Sequence, residues 1–325
     1  MKIKFEMSIK TILIIVIALG IGCTSKPSKK KSFDDNFQII DISQKQLALY
    51  NKHLITDSVQ RMKIFQDSLY HPYKEVWDGY VGNMNGFDVT VHYYGIKNIN
   101  ALNQKNKAFY SESNKQIILT TLFKIKKGIE KLTERSPIGK WYLLYGPSST
   151  DLGSIGNGTM LIDFASSDIK DVKSITKWFP HELNHQIHSN TKKKDSINSV
   201  LARCISEGFA TYVHKLYFNI IEKDKNYSTA MSLAYSEEEL KEAEKEWEFI
   251  FSYFKNNYSS TDQNMISKFG SRNAKIKENL PGAIGYFIGF KIVEAYVSKH
   301  GSESWKDIYT LSSEEVLEKS QIFQK

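Results

Sequence analysis

The pentapeptide His181-Glu182-Leu183-Asn184-His185 constrains this 325-residue chain more than any other feature. Two histidines four residues apart share one face of a helix, about one turn from each other, so both imidazoles can turn toward one metal ion. The glutamate beside the first histidine then faces the same side. Val172, Ile175, Phe179, Leu183 and Ile187 recur at helical spacing and give the segment a buried stripe, with the histidines off it. Pro180 lacks a backbone donor and is best tolerated in a first turn. The spacing therefore predicts that the helix begins there, with residues 177–179 in a preceding short turn.

A catalytic zinc commonly takes three protein ligands and keeps one position open. His188 lies on the same face as His181, but two helical turns separate them by about 10 Å, too far to share one ion. It reads as a rim residue. A better third ligand is Glu207, in Ile205-Ser206-Glu207-Gly208-Phe209-Ala210-Thr211-Tyr212. This segment opens a second apolar helix after the polar stretch 190–199. Gly208 and Ala210 are small enough to let that helix approach the first.

HELNHQ followed by EGFATY resembles the gluzincin clan of zinc peptidases, in which a glutamate on a later helix completes the metal site. The wording is similar to the aminopeptidase N type, with two departures. The gap from His185 to Glu207 is longer than in that type, and no GxMEN motif precedes the helix, where the sequence reads Gly158-Thr159-Met160-Leu161-Ile162. Thr211 also stands where the thermolysin type has aspartate, so the histidines must be oriented from elsewhere. The tail fits better with the small YjaZ-like predicted zinc-dependent proteases, a domain family of unknown function. It comprises Pro281 to Val293, a helix ending near Lys299, then Glu314-Glu315-Val316-Leu317 and Ser320. The resemblance covers about residues 142–320. It implies one zinc ion held by His181, His185 and Glu207, with Glu182 as general base. It also implies an oxyanion donor from a later helix, first Tyr286, with His214 as the other possibility.

The N-terminus gives an address. Lys2, Lys4 and Lys10 precede an apolar run from Thr11 to Ile21, too short to span a bilayer comfortably, and small residues lead to Cys23. Gly20-Ile21-Gly22-Cys23 resembles the lipobox of bacterial lipoproteins, with leucine one place early at Leu19. It implies a signal peptide over residues 1–22, an acylated Cys23 and a protein lipid-anchored in the bacterial cell envelope. Cys204 is then the one cysteine left unlipidated, so no intramolecular disulfide forms and stability rests on packing. Net charge is +8, and the first 22 residues hold three lysines and one glutamate, leaving about +6. No nucleic-acid motif accompanies that charge. Lys29-Lys30-Lys31 reads as part of a solvated tether over residues 23–37, near anionic lipid or simply a spacer.

Between these ends the pattern is mixed. Residues 39–80 show helical spacing; Gly86 to Tyr94 alternates and predicts a strand; Gln116 to Glu134 predicts a helix. Trp141 to Tyr145 and Met160 to Phe164 are predicted strands, joined by a Gly/Ser-rich loop over residues 148–158, and everything after Asp168 reads as helix. The expected class is α+β: a mostly helical, zincin-like catalytic region over residues 136–325, a small sheet before the motif helix, and a mainly helical region over residues 38–135. The strand from Met160 to Phe164 is a candidate edge for an extended peptide substrate. Expected partners are a peptide or protein substrate and the membrane, through Cys23, and no nucleic acid. The same residues also suit a non-peptide amide or ester, and the fold alone suits a catalytically silent binding lipoprotein.

Overall fold

Phe37 is buried at one edge of a four-stranded sheet. The computed structural model describes residues 36–110, 117–156, 159–193, 195 and 198–324; the expected signal segment and residues 23–35 of the tether lie outside them. Strand β1 (Phe37–Asp41) runs parallel to β2 (Gly139–Leu144), β2 runs parallel to β4 (Thr159–Asp163), and β3 (Leu152–Gly156) closes the sheet antiparallel to β4. All five residues of β4 are buried. A continuous apolar run such as Trp141-Tyr142-Leu143-Leu144 is what a strand covered on both faces requires. The tether therefore ends before Phe37, and residues 39–41 are strand rather than helix. Because β1 pairs with β2, the boundary drawn at 135/136 runs through a shared sheet; residues 36–325 form one compact unit.

Three further expectations are corrected. Gly86 to Tyr94 is helical: Asn83 caps the first turn by accepting from the Gly86 amide, and helical turns continue through Lys97. The buried residues are Phe87, Val91, His92 and Gly95, a helical set, whereas Val89 and Tyr93 of the alternating pattern are exposed. Packing overrides β-propensity here: Tyr50 donates to the Val91 carbonyl at 2.8 Å, and its ring occupies the space a side chain at Gly95 would need. The loop over residues 148–158 contains β3, whose two glycines hide it from a propensity reading. Its presence makes β4 internal, so Met160 to Phe164 offers no free edge and β3 takes that place.

Helices supply the other layer. The helix expected over residues 116–134 is α1 (Ile117–Thr133), which packs on α2 (Val172–Thr191), the motif helix. Helix α2 begins well before Pro180, at a capping box in which Asp171 accepts from the Ser174 amide and Ser174 Oγ accepts from the Asp171 amide. Pro180 thus lies inside a continuous helix, not in a first turn. An interior proline costs about 3 kcal/mol, and the burial of Ile175, Phe179, Leu183 and Ile187 along one face offsets it. Next come α3 (Val200–Leu216), α4 (Ile284–His300) and α5 (Ser313–Ser320). Gly208 serves a different contact from the one expected: a Cβ there would lie 2.0 Å from the Gly289 carbonyl carbon, so it lets α3 meet α4, not α2, backbone to backbone.

Candidate metal centre

Helix α2 presents His181 and His185 one turn apart, and α3 brings Glu207 against both. His181 Nε2 lies 3.3 Å and His185 Nε2 3.1 Å from Glu207 Oε2, and the two Nε2 atoms are 3.1 Å apart. A tetrahedral zinc with bonds of about 2.0 Å separates its ligand atoms by about 3.3 Å. The triangle therefore has the size that three ligands of one such ion need, and among the described residues these three form the metal-competent cluster. The donor set, two imidazoles and a carboxylate with an open fourth side, is that of a catalytic rather than a structural zinc site.

The helix carrying the histidines is anchored by the residues between and after them. Leu183 is fully buried, Asn184 Oδ1 accepts from the Tyr309 hydroxyl, and Gln186 Oε1 accepts from Trp141 Nε1 of β2 at 3.0 Å. Around the ligand atoms, Ser206 Oγ lies 3.2 Å from His185 Nδ1, and Arg203 Nη2 lies 3.1 Å from Glu207 Oε1, the oxygen turned away from the histidines. Thr211 Oγ1 and His181 Nδ1 are buried, and neither finds a hydrogen-bond partner among the described residues.

The electrostatics favour a neutral His181 and an ionised Glu207, and push His185 the other way. Burial holds the His181 imidazole down to about 4, which favours its neutral form. Burial opposes the charge on Glu207 too, but His185, the hydrogen bonds from both histidines and Arg203 outweigh it and hold that carboxyl well below its ordinary range. For His185 burial also opposes charge, and the Glu207 carboxylate reverses the balance upward. Glu182 is half-buried and makes no ion pair with a described residue. Burial pushes it up to about 7, with the Glu207 and Asp151 charges acting in the same direction. It borders a cleft of ≈ 890 Å³ that also contains the three ligand residues, and a Cβ built at Gly153 of β3 would lie 4.0 Å from its Oε2.

Tyr286, at the start of α4, joins this site: its ring stacks on His181 with centroids 6.0 Å apart and planes 10° from parallel. The other two histidines stay outside the metal triangle, although His188 lines the same cleft, as its place on the rim implied. His188 is buried between Phe209 and Tyr309 at 5.1 and 6.2 Å, and burial pushes it down to about 3. His214 packs 6.0 Å from His181, ring to ring, but does not line the cleft, and its Nε2 faces the Lys177 carbonyl at 2.7 Å and the Tyr227 hydroxyl at 3.1 Å. Sequence reasoning missed Arg203, Ser206, Arg272 and strand β3. Arg203 was within reach, one helical turn before Glu207; Arg272 sits in a loop, and no spacing rule places it.

Residues 175–322 match the family model described as gliding motility protein GldB, a span somewhat under half of the chain. It takes in α2 from Ile175, the Glu207 helix and the tail, and leaves out the sheet. The matching model is thus a different family from the YjaZ-like one that the tail suggested. No curated protein matches the chain. Among the described residues no helix is long and apolar enough to cross a membrane.

Proposed function

We propose that this chain is a lipid-anchored envelope protein with a zinc-dependent hydrolase centre, and that its substrate is a peptide. The observation that carries the reading is the 3.1–3.3 Å triangle of His181, His185 and Glu207 with Glu182 beside it on an open cleft. His181 Nε2, His185 Nε2 and Glu207 Oε2 would hold the ion, which when bound lowers the pKa of water toward about 7 and polarises a carbonyl. The protein's own groups do the rest. Glu182, poised near neutrality by burial, takes a proton at its carboxylate and returns it to the leaving nitrogen. The Tyr286 hydroxyl, kept protonated because burial and the Glu207 charge raise it well above its ordinary value, donates to the carbonyl oxygen as charge develops there. Strand β3, whose residues Leu152, Gly153 and Ser154 line the cleft, is the edge to which an extended substrate adds.

The envelope address rests on the lipobox-like Cys23 segment and on the likeness to a gliding motility family. That likeness also favours a second reading, a catalytically silent binding lipoprotein, since the family's description names no enzyme. Glu182→Gln separates the two. Turnover of a peptide panel should fall at least about 100-fold in the variant while bound zinc is unchanged. Turnover that survives the substitution contradicts the role given to Glu182, and zinc-loaded wild type inactive on peptides, amides and esters alike favours the silent reading.

A further inference from the structure

Charges of both signs line the cleft beside the metal centre, among them Asp151, Asp168, Lys192, Arg203 and Arg272. Arg203 is committed to Glu207. Arg272 is not paired in this way: among the described residues no carboxylate forms an ion pair with it. Its guanidinium is nevertheless held in place. Nη1 donates to the Leu233 carbonyl at 2.5 Å, the plane lies over the Tyr286 ring at 4.7 Å, and Tyr235 flanks it at 5.8 Å. The backbone is fixed as well. Gly282 passes so close that a Cβ there would lie 1.9 Å from the Arg272 carbonyl oxygen, and the Ala283 amide donates to the neighbouring Ser271 carbonyl at 2.7 Å. A guanidinium has five N–H donors in a planar fork suited to a carboxylate. Here one is used internally, and the exposed remainder borders the cleft.

We propose that Arg272 binds a carboxylate of the substrate, close to the bond being cleaved. Two ring steps fix the range: 4.7 Å from Arg272 to Tyr286 and 6.0 Å from Tyr286 to His181. An extended chain covers that length in about three residues. The carboxylate therefore lies within about three residues of the scissile bond, as a free C-terminus or as an acidic side chain. Arg203 lines the same cleft and adds positive potential, and Asp151, whose charge acts on Glu182, disfavours an anion beside itself. The assignment rests on the hydrolase reading above and names the substrate class for that site.

The test uses the zinc-loaded chain and two pairs of peptides. One pair differs only in a free against an amidated C-terminus, the other only in glutamate against glutamine within three residues of the cleaved bond. Wild type should favour the carboxylate member of one pair by about tenfold in kcat/KM, and the discriminating pair tells the terminal from the side-chain source. In Arg272→Gln that ratio should fall to about one, and Arg272→Lys, which keeps the charge and loses the fork, should retain part of it. Equal cleavage of both members of both pairs by wild type overturns the assignment. So does a variant that slows both members alike, because a residue that merely supports Tyr286 leaves the ratio unchanged. Calorimetry with succinate and its monoamide reads the subsite without turnover. Succinate binding that is lost in Arg272→Gln sustains the carboxylate site even where no peptide is cleaved, in which case only the peptidase reading fails. Succinate bound equally by variant and wild type overturns the site.

Discussion

Helices α2 and α3 carry four buried or half-buried histidines, and they fall into two pairs with opposite fates. His181 and His185 converge on the carboxylate of Glu207 at the wall of a cleft. His188 and His214 sit among aromatic rings, each pushed down to about 3 by burial. Both pairs lose their hydration, so burial alone does not distinguish a ligand from a core residue. What distinguishes them is a buried anion within bonding range, since His188 also lines the cleft but has no carboxylate beside it in the way His181 and His185 have Glu207. In the first pair the cost of burying polar groups is offset by mutual interaction and, on the proposed reading, by a dication; in the second it is offset by keeping the ring neutral.

The sharpest way to break this comparison is to exchange the effects of substitution. His181→Ala should abolish zinc binding and turnover together, while His188→Gln should keep the zinc and lower the thermal midpoint. A buried polar replacement in that aromatic pocket costs about 1–3 kcal/mol. Zinc and midpoint can be measured on the same samples, and loss of zinc in His188→Gln with retention in His181→Ala would invert the assignment.

Acid should act on both members of the second pair, and in the same direction on His181, which burial holds down to about 4. Unfolded histidine titrates near 6.5, and His188 and His214 in the folded chain titrate near 3, so between those values the unfolded state holds more protons. Stability is therefore present above about pH 6.5 and is lost as pH falls toward 3, with a slope of up to about 1.4 kcal/mol per pH unit for each histidine. Urea midpoints at pH 7.5 and 5.0 should differ accordingly, and His188→Gln should flatten the dependence. An unchanged slope in that variant would remove His188 from the account.

A smaller effect sharpens the first pair internally. His185 Nδ1 has Ser206 Oγ at 3.2 Å, whereas His181 Nδ1 has no partner among the described residues. Ser206→Ala should weaken zinc binding by about tenfold, as loss of a group orienting a metal ligand commonly does. Competition against a chelator reads this directly, and an unaltered affinity would mean that the ring is held by packing alone.

How much of this was legible depended on whether periodicity carried it. The histidine pair and Glu182 follow from spacing on one helix, and Glu207 was found through its EGFATY setting. Helix α1 and the apolar strands β2 and β4 were readable because burial on a regular element leaves a regular pattern. Strand β3 was not, since Leu152-Gly153-Ser154-Ile155-Gly156 has the composition of a loop and pairs only because β4 is already in place. The helix through Phe87 and Val91 was concealed by an alternation that tertiary packing overrode. Pro180 misled in the same way, because the capping box at Asp171, earlier in the chain, sets where α2 begins. Arg272 reaches the site from a loop between helices, and only the folded chain brings it to Tyr286.

The central claim is that His181, His185 and Glu207 hold one metal ion. Zinc content of the purified chain, measured beside Glu207→Gln, tests it most directly. The account predicts about one zinc per wild-type chain and close to none in the variant. A wild type that binds no zinc after exposure to it, or a variant that binds as much as wild type, would contradict it.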